Sequence, residues 1–243
     1  MKSRLDEVLV SRGLAVRVET ARALILAGRV SVEGVERPTA GLLVAADAAI
    51  EVREPPHPFV SRGGVKLAAA LDAFAVSVDG RVCLDVGAST GGFTDCFLQR
   101  GAARVYAVDT GYGQIDSRLR ADARVALREN TNARTLGPEI VPEPIGVAAI
   151  DVSFISARKV LGPVVGLLGT GGSVIVLVKP QFEARRAEVP RGGIVTDPAV
   201  QRRVVEEIRS EAVRLGLDSI GEAASPILGS RGNREFLLGF AKR

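Results

Sequence analysis

The sequence predicts an α/β protein: a mainly parallel sheet covered by helices on both faces, preceded by a small α+β module. Three observations predict it. From residue 82 onward, short apolar runs alternate with helix-period segments, the pattern of strands joined by crossover helices. The stretch CLDVGASTGGFT at 83–94 reads as a strand, a small-residue loop and the start of a helix. The Pro-rich segment EPPHP at 54–58 separates an N-terminal stretch with a pattern of its own.

In the N-terminal module Ser3 can cap a helix that carries Leu5, Val8 and Leu9 on one face. Residues 17–20 lead into a second helix with Ala21, Leu24 and Ile25 aligned, and Gly28 ends it. Val30, Ser31 and Val32 face Val35 across a Glu33-Gly34 turn, which reads as a tight hairpin. Asp47 precedes a last short strand at 49–52. Beyond the Pro-rich segment, strands are expected near 82–86, 104–109, 123–127, 146–150, 173–179, 219–225 and 234–242. Helices are expected near 64–74, 92–100, 114–120, 155–168 and 198–215. The loop at 180–196 is long and rich in Arg, Glu and Gly, and loops of that length usually carry function. The expected division is a module at 1–54, a linker at 55–63 and a larger domain at 64–243.

Composition narrows the function classes. The chain has 243 residues, 47% of them hydrophobic, enough for a sizeable core. The two cysteines, Cys83 and Cys96, cannot build a disulfide framework and read as packing residues of a cytoplasmic protein. His57 is the only histidine, so a His-based metal site is excluded, and no other metal cluster is visible. The start, MKSRLDEVLV, is not a signal peptide, and no apolar run approaches the roughly 20 residues of a membrane span. Net charge is +4, compatible with a polyanionic partner. Nothing in the sequence specifies an oligomeric state.

The glycine loop is the richest chemical signal. The run Val82–Cys83–Leu84 ends in Asp85, and Gly87-Ala88-Ser89-Thr90-Gly91-Gly92 follows. A second apolar run ends in Asp109, suited to two ribose hydroxyls. Glycines let the backbone approach a ligand where a Cβ would clash. The spacing is GxxxGG rather than GxGxxG, with no second phosphate site, and this favours S-adenosylmethionine over a dinucleotide. Gly87, Ser89, Thr90, Gly91, Gly92 and Phe93 would wrap the methionine part, with Asp85 near its ammonium. Tyr112, in DTGYGQ, and Asn132, in NTNAR, are candidate adenosine contacts.

Four further charged residues stand in suggestive positions. Asp151 ends an apolar strand in DVSFIS, and Lys179 ends another in VLVKPQFE. The carboxyl ends of parallel strands are where such sheets bind ligands. A lysine that has lost its proton can take one from a hydroxyl. Lys66, in SRGGVKL, opens a helix, and Glu235, in GNREFLLGF, begins the last strand. Taken one at a time, each also reads as an ordinary strand-end, capping or surface charge.

Together these motifs resemble a known family. RLDEVLVSRGLAVRVETARALILAGRVSVEG resembles an S4 domain, which implies a structured-RNA partner. The remainder resembles the FtsJ/RrmJ-type ribose 2′-O-methyltransferases, whose Lys-Asp-Lys-Glu tetrad falls on Lys66, Asp151, Lys179 and Glu235. With VSRGGVKL, DVGASTGGFTD, DVSFIS, LVKPQFE and SPILGSRGNREFL, the whole chain resembles the TlyA family, also known as hemolysin A-like. The resemblance implies a Rossmann-like methyltransferase sheet of seven strands with the last one antiparallel. It also implies S-adenosylmethionine as methyl donor, Asp151 close to the methyl, and ribosomal RNA or a ribosomal subunit as partner. The target implied is a cytidine ribose in 23S rRNA, with 16S rRNA as a further target. The family pattern places a histidine near Gln201 and a basic residue near Thr196, and this chain departs there.

Charge alone speaks less clearly for RNA. The N-terminal module carries eight basic and eight acidic residues, so RNA contact requires its cations to be segregated. Arg4, Arg12, Arg22 and Arg29 are the candidates there, joined by Arg62, Arg185 and Arg186, and by Arg191, in the larger domain. Three rivals remain: a membrane-active hemolysin, a non-catalytic ribosome-assembly factor, and a small-molecule methyltransferase. Absence of a signal peptide and of amphipathic segments disfavours the first. The tetrad disfavours the second, and the RNA-binding module the third.

Overall fold

The structure, a computed structural model, describes every residue except Met1, Val16, Ala27, Glu36, Ala46, 53–56 and Ser230. It divides into two compact units, Met1–Pro58 and Phe59–Arg243. The second unit starts earlier than the sequence suggests. A Cβ on Gly64 would strike the Phe59 ring, and Val60 N–H donates to Asp95 Oδ2 at 2.8 Å. The stretch 59–63 therefore belongs to the second unit and not to a linker. Residues 53–56, around the start of the expected linker, lie outside the described residues.

The first unit contains β1 (Lys2–Arg4), α1 (Leu5–Ser11), α2 (Val18–Leu26), β2 (Val30–Val32), β3 (Leu43–Ala45) and β4 (Ile50–Val52). Leu5, Val8, Leu9, Ala21, Ile25, Val30, Val32 and Val44 form its core. Ser3 does not cap α1; it lies in β1, which pairs antiparallel with β3. The first N–H groups of α1 are satisfied by backbone instead: Leu5 N donates to Leu42 O at 2.8 Å and Asp6 N to Ala40 O at 3.1 Å. The Glu33-Gly34 turn forms, with Gly34 at φ +77° and a single bridge between Val32 and Val35. The ladder partner of β2, however, is β4.

The second unit contains, in order, α3 (Gly63–Ala73), β5 (Val82–Val86), α4 (Gly92–Gln99), β6 (Arg104–Val108), α5 (Ser117–Ala121) and β7 (Val125–Arg128). Then follow β8 (Ile145–Ile150), α6 (Arg158–Leu167), β9 (Leu168–Val178), α7 (Pro180–Glu183), α8 (Pro198–Arg214), β10 (Leu217–Ala224) and β11 (Phe236–Lys242). The sheet order is β10-β11-β9-β8-β5-β6-β7. β5 is parallel to β6 and β8, β6 to β7, and β8 to β9. β11, last in sequence, runs antiparallel between β9 and β10. This is a Rossmann-like methyltransferase sheet of seven strands.

Alternation along the central strands fills two cores. Ala148 and Ile150 of β8 pack on one face with Val174, Val176 and Val178 of β9. Val147 and Ala149 pack on the other with Ile175 and Leu177, against Leu67, Phe93 and Phe97. Strand β9 begins at Leu168, earlier than expected, because the glycines at 169, 171 and 172 read as a turn. Its ladder with β8 is irregular between Ile145 and Val147. Cys83 and Cys96 are buried free thiols, pushed up to about 12 by burial, which leaves them packing residues.

β5 connects onward to β6 on one side and lies beside β8 on the other, so a crevice opens beyond the carboxyl ends of β5 and β8. Phe97 of α4 is fully buried in the core on that helix's face of the sheet. Phe97→Ala is expected to destabilise the second unit by about 3–5 kcal/mol, read as a lower urea midpoint.

Candidate active site

The loop after β5 makes the crevice. Gly87 has φ +91°, and a Cβ there would run into the carbonyl oxygen of Asp151, in the turn after β8. Only glycine allows that approach. Gly91, at φ +96°, precedes α4, and its own Cβ would meet Leu119. A Cβ on Gly92 would meet Ser61 Oγ and lie 3.0 Å from Gly64 N, so the N-termini of α3 and α4 abut.

Position relative to the strand ends sorts the acids. Asp109, Asp151 and Lys179 are each the first residue past β6, β8 and β9, and their side chains reach the crevice. Asp85 is still inside β5 and faces α4. Its carboxyl is 0% exposed; Oδ2 accepts from Thr94 N at 2.8 Å and Thr94 Oγ1 at 2.7 Å, while Oδ1 has no partner. Burial pushes this carboxyl up to about 7 against the pull of the Thr94 bonds, with Asp151 and Asp109 adding to the rise. The structure does not bring Asp85 to the cavity wall. It pins the first turn of α4 to β5.

A cavity of about 400 Å³ collects the expected tetrad. Lys66 of α3 and Glu235, just before β11, are 8% and 4% exposed and pair at 2.5 Å, Nζ to Oε2. Lys179 Nζ lies 2.5 Å from Asp151 Oδ1, an ion pair, and donates to Ser153 Oγ at 3.0 Å. Arg62, Gly87, Ser89, Thr90, Gly92 and Phe93 line the same cavity. Four elements thus deliver two ammonium groups and two carboxylates to one space.

A second cavity, about 580 Å³, shares Gly87, Ser89, Asp151 and Ser153 with the first and extends toward Asp109 and Asn132. Asp109 Oδ2 accepts from Ser89 N at 2.8 Å and Oδ1 from Gly111 N at 2.7 Å. Each oxygen keeps lone pairs for a ligand hydroxyl. Asn132 Oδ1 accepts from Arg134 N at 3.1 Å and Arg134 Nε at 3.2 Å. Tyr112 is 74% exposed and lines neither cavity, because its turn carries it outward.

The sequence missed an aromatic pair. Phe154 lines the second cavity, has φ +66° and is 85% exposed. A bulky residue in that region is strained and exposed at a cost, a combination found at functional sites. Its ring centroid is 5.2 Å from that of Phe182, and the Lys179 ammonium sits 5.9 Å over the Phe182 ring. Glu183 holds this corner. It accepts from Ser156 Oγ at 2.5 Å and Ala157 N at 2.6 Å, tying α7 to the start of α6. Ser153, Phe154 and Phe182 sit inside motifs the sequence singles out, but no periodicity marks them.

Arg185 and Arg186 are exposed and outside the cavity walls. Arg4, Arg12, Arg22 and Arg29 belong to the first unit. Arg4 forks onto the buried Asp6 carboxylate at 3.0 and 2.9 Å, and Arg22 Nε reaches it at 2.8 Å. The two guanidiniums hold that carboxyl far below the usual range. Arg12 Nη1 donates to Ala48 O at 2.7 Å. Among the described residues, no group of three or more His, Cys, Asp or Glu side chains could hold a metal ion.

Sheet order, glycine turn and paired charges define a methyltransferase domain. The family described as FtsJ-like methyltransferase matches residues 59–242, and the S4 domain matches residues 3–45. The chain belongs to the FtsJ-like methyltransferase family and carries an N-terminal S4 domain. It is 44% identical to "16S/23S rRNA (cytidine-2'-O)-methyltransferase TlyA" of Mycobacterium tuberculosis, over 98% of this chain and 89% of the relative. It is 39% identical to "Hemolysin A" of Brachyspira hyodysenteriae, over 98% and 99% of the two chains. A solved, hemolysin-named structure from Streptococcus thermophilus superposes with a TM-score of 0.76 at 39% identity, covering 99% of this chain and 88% of that one.

Asp85 yields a pH dependence with a definite sign. Its folded-state value, about 7, lies above the ordinary carboxylate value of about 4. Between these values the folded chain keeps a proton that the unfolded chain releases, so this group's contribution to stability falls as pH rises. Asp85→Asn cannot ionise. Urea midpoints at pH 5 and pH 8 should therefore drop more for the wild type than for the variant, and parallel curves would refute the assignment.

Proposed function

We propose that this methyltransferase methylates a ribose 2′-hydroxyl of ribosomal RNA, a cytidine of 23S rRNA with 16S rRNA as a further target. The observation that carries this reading is one cavity in which the Lys66–Glu235 and Lys179–Asp151 pairs face a glycine turn with no room for a Cβ. The S4 domain and the likeness to an rRNA cytidine-2'-O-methyltransferase support the substrate class. An rRNA substrate places the reaction in the cytoplasm. The hemolysin reading has less behind it: among the described residues no helix is long and apolar enough to cross a membrane.

S-adenosylmethionine, when bound, supplies the methyl group. The residues present fit it. Gly87 and Ser89 line both cavities, and the Asp109 oxygens are braced by backbone for hydroxyl contacts. Gly87, Ser89, Thr90, Gly92 and Phe93 would hold the amino-acid part, and Asp109 and Asn132 the nucleoside.

Lys179 is the base in this reading. As a neutral amine its Nζ has two N–H bonds and one lone pair. Ser153 Oγ accepts one N–H and the Asp151 carboxylate lies 2.5 Å from Nζ, an arrangement that holds the amine while its lone pair takes the hydroxyl proton and the ribose oxygen becomes the nucleophile. Lys66, fixed by Glu235, supplies positive charge for the oxygen as its negative charge develops. The exposed Phe154 ring offers a face to the target base drawn out of its stack. Positioning of this kind can be worth roughly 7–11 kcal/mol of barrier.

Transfer of a tritiated methyl group to unmodified 23S and 16S rRNA, with mass mapping of the labelled nucleoside, tests the reading. Label in a base rather than a ribose, or no label in either rRNA, would overturn it. Lys179→Ala should reduce transfer by at least 10²-fold while donor affinity stays within a few-fold. Asp109→Ala should weaken donor binding by about 1.5–3 kcal/mol in calorimetry, as expected for lost hydrogen bonds to a charged group.

A further inference from the structure

We propose that Arg231 and Arg234 form a clamp for the phosphodiester backbone of the strand whose ribose enters the catalytic cavity. This deepens the reading above and rests on it. The clamp is assembled from two segments, the end of the 180–196 loop and the turn that leads into β11. Asn233, 1% exposed, staples them: its Oδ1 accepts from Val195 N at 2.9 Å and its Nδ2 donates to Gly193 O at 2.8 Å. Gln201 of α8 closes the other side, donating to Val195 O at 2.7 Å. The turn itself is braced by Gly229 N to Asn233 O at 2.9 Å and Gly232 N to Gly229 O at 2.8 Å.

This bracing fixes which side chains face outward. Asn233 and Glu235 point inward and are buried, whereas Arg231 and Arg234 are exposed. A Cβ on Gly193 would lie 3.7 Å from Arg231 Nη1, so the guanidinium lies beside the stapled loop. Arg191 belongs to the same loop, whose turn is closed by Gly193 N to Pro190 O at 2.8 Å.

The charge pattern then points to a ligand. Many arginines of this unit face acids, among them Arg100 with Asp72, Arg120 with Glu129, Arg124 with Asp122, Arg209 with Glu222 and Arg243 with Asp218. Arg231 and Arg234 have no acidic partner among the described residues. The acid beside them in sequence, Glu235, is committed to Lys66 inside the cavity. Unneutralised guanidiniums on a braced turn attract a polyanion, and their flat forks match phosphate oxygens. Arg234 is one residue from Glu235. A phosphate held there lies on the strand that carries the reacting ribose. Such contacts fix register on the RNA rather than read its bases.

The test is salt-dependent binding of a fluorescent, unmodified 23S rRNA transcript to the full chain. The Arg231→Ala/Arg234→Ala double variant should lower the slope of log affinity against log salt by about 1.4, two contacts at ~0.7 each for a single strand. Its KM for the transcript should rise, while donor affinity stays within twofold. Lysines at both positions should restore the slope, which a merely structural defect would not allow. A double variant with the wild-type slope overturns the clamp and leaves the proposed function standing. A wild type that binds no transcript at low salt overturns both.

Discussion

The site depends on one backbone contact, the approach of Gly87 to the Asp151 carbonyl. It joins the turns after β5 and β8, the two strands between which the sheet changes direction. The contact holds the Asp151 backbone against the glycine turn, beside the point where Lys179 meets Asp151 and Ser153. A methyl group on Gly87 would push these turns apart. Glycine takes the left-handed conformation there without steric cost, so the close approach needs no strained backbone.

A second constraint is the balance of charge. Two ammonium groups in one small cavity would repel, and a buried unpaired charge is costly. Each amine has its own carboxylate, which offsets the repulsion between the amines and holds each lysine in place. The two pairs differ in the burial of their acids: the Glu235 side chain is 3% exposed and that of Asp151 20%, while the two lysines are alike at 11% and 12%. The more open pair is the one that must meet a substrate.

Much of this could be read from the chain. Strand and helix alternation gave every strand of the large sheet, because central parallel strands are plain apolar runs. The motifs single out Lys66, Asp151, Lys179 and Glu235, and these four line one cavity although the Lys66–Glu235 pair spans 169 positions. What escaped is where side-chain direction decides. Asp85 looks like a strand-end acid, yet one residue separates facing the crevice from facing α4. Tyr112 sits in the right loop and points to solvent. Phe154 was hidden because a single aromatic in a turn carries no period, and its backbone strain shows only in three dimensions. In the first unit, the pairing of β2 with β4 instead of a local hairpin is a choice among short strands that alternation does not resolve.

The Asn233 staple limits how this surface can diversify. Its amide fits the spacing between Gly193 O and Val195 N, and the same short segment carries Glu235 into the cavity. Adding or deleting a residue between those anchor points would unhook the amide and pull on the ion pair that holds Lys66. Outward side chains on this face can therefore be exchanged one at a time without disturbing the site, whereas insertions have to fall earlier in the loop, upstream of Gly193.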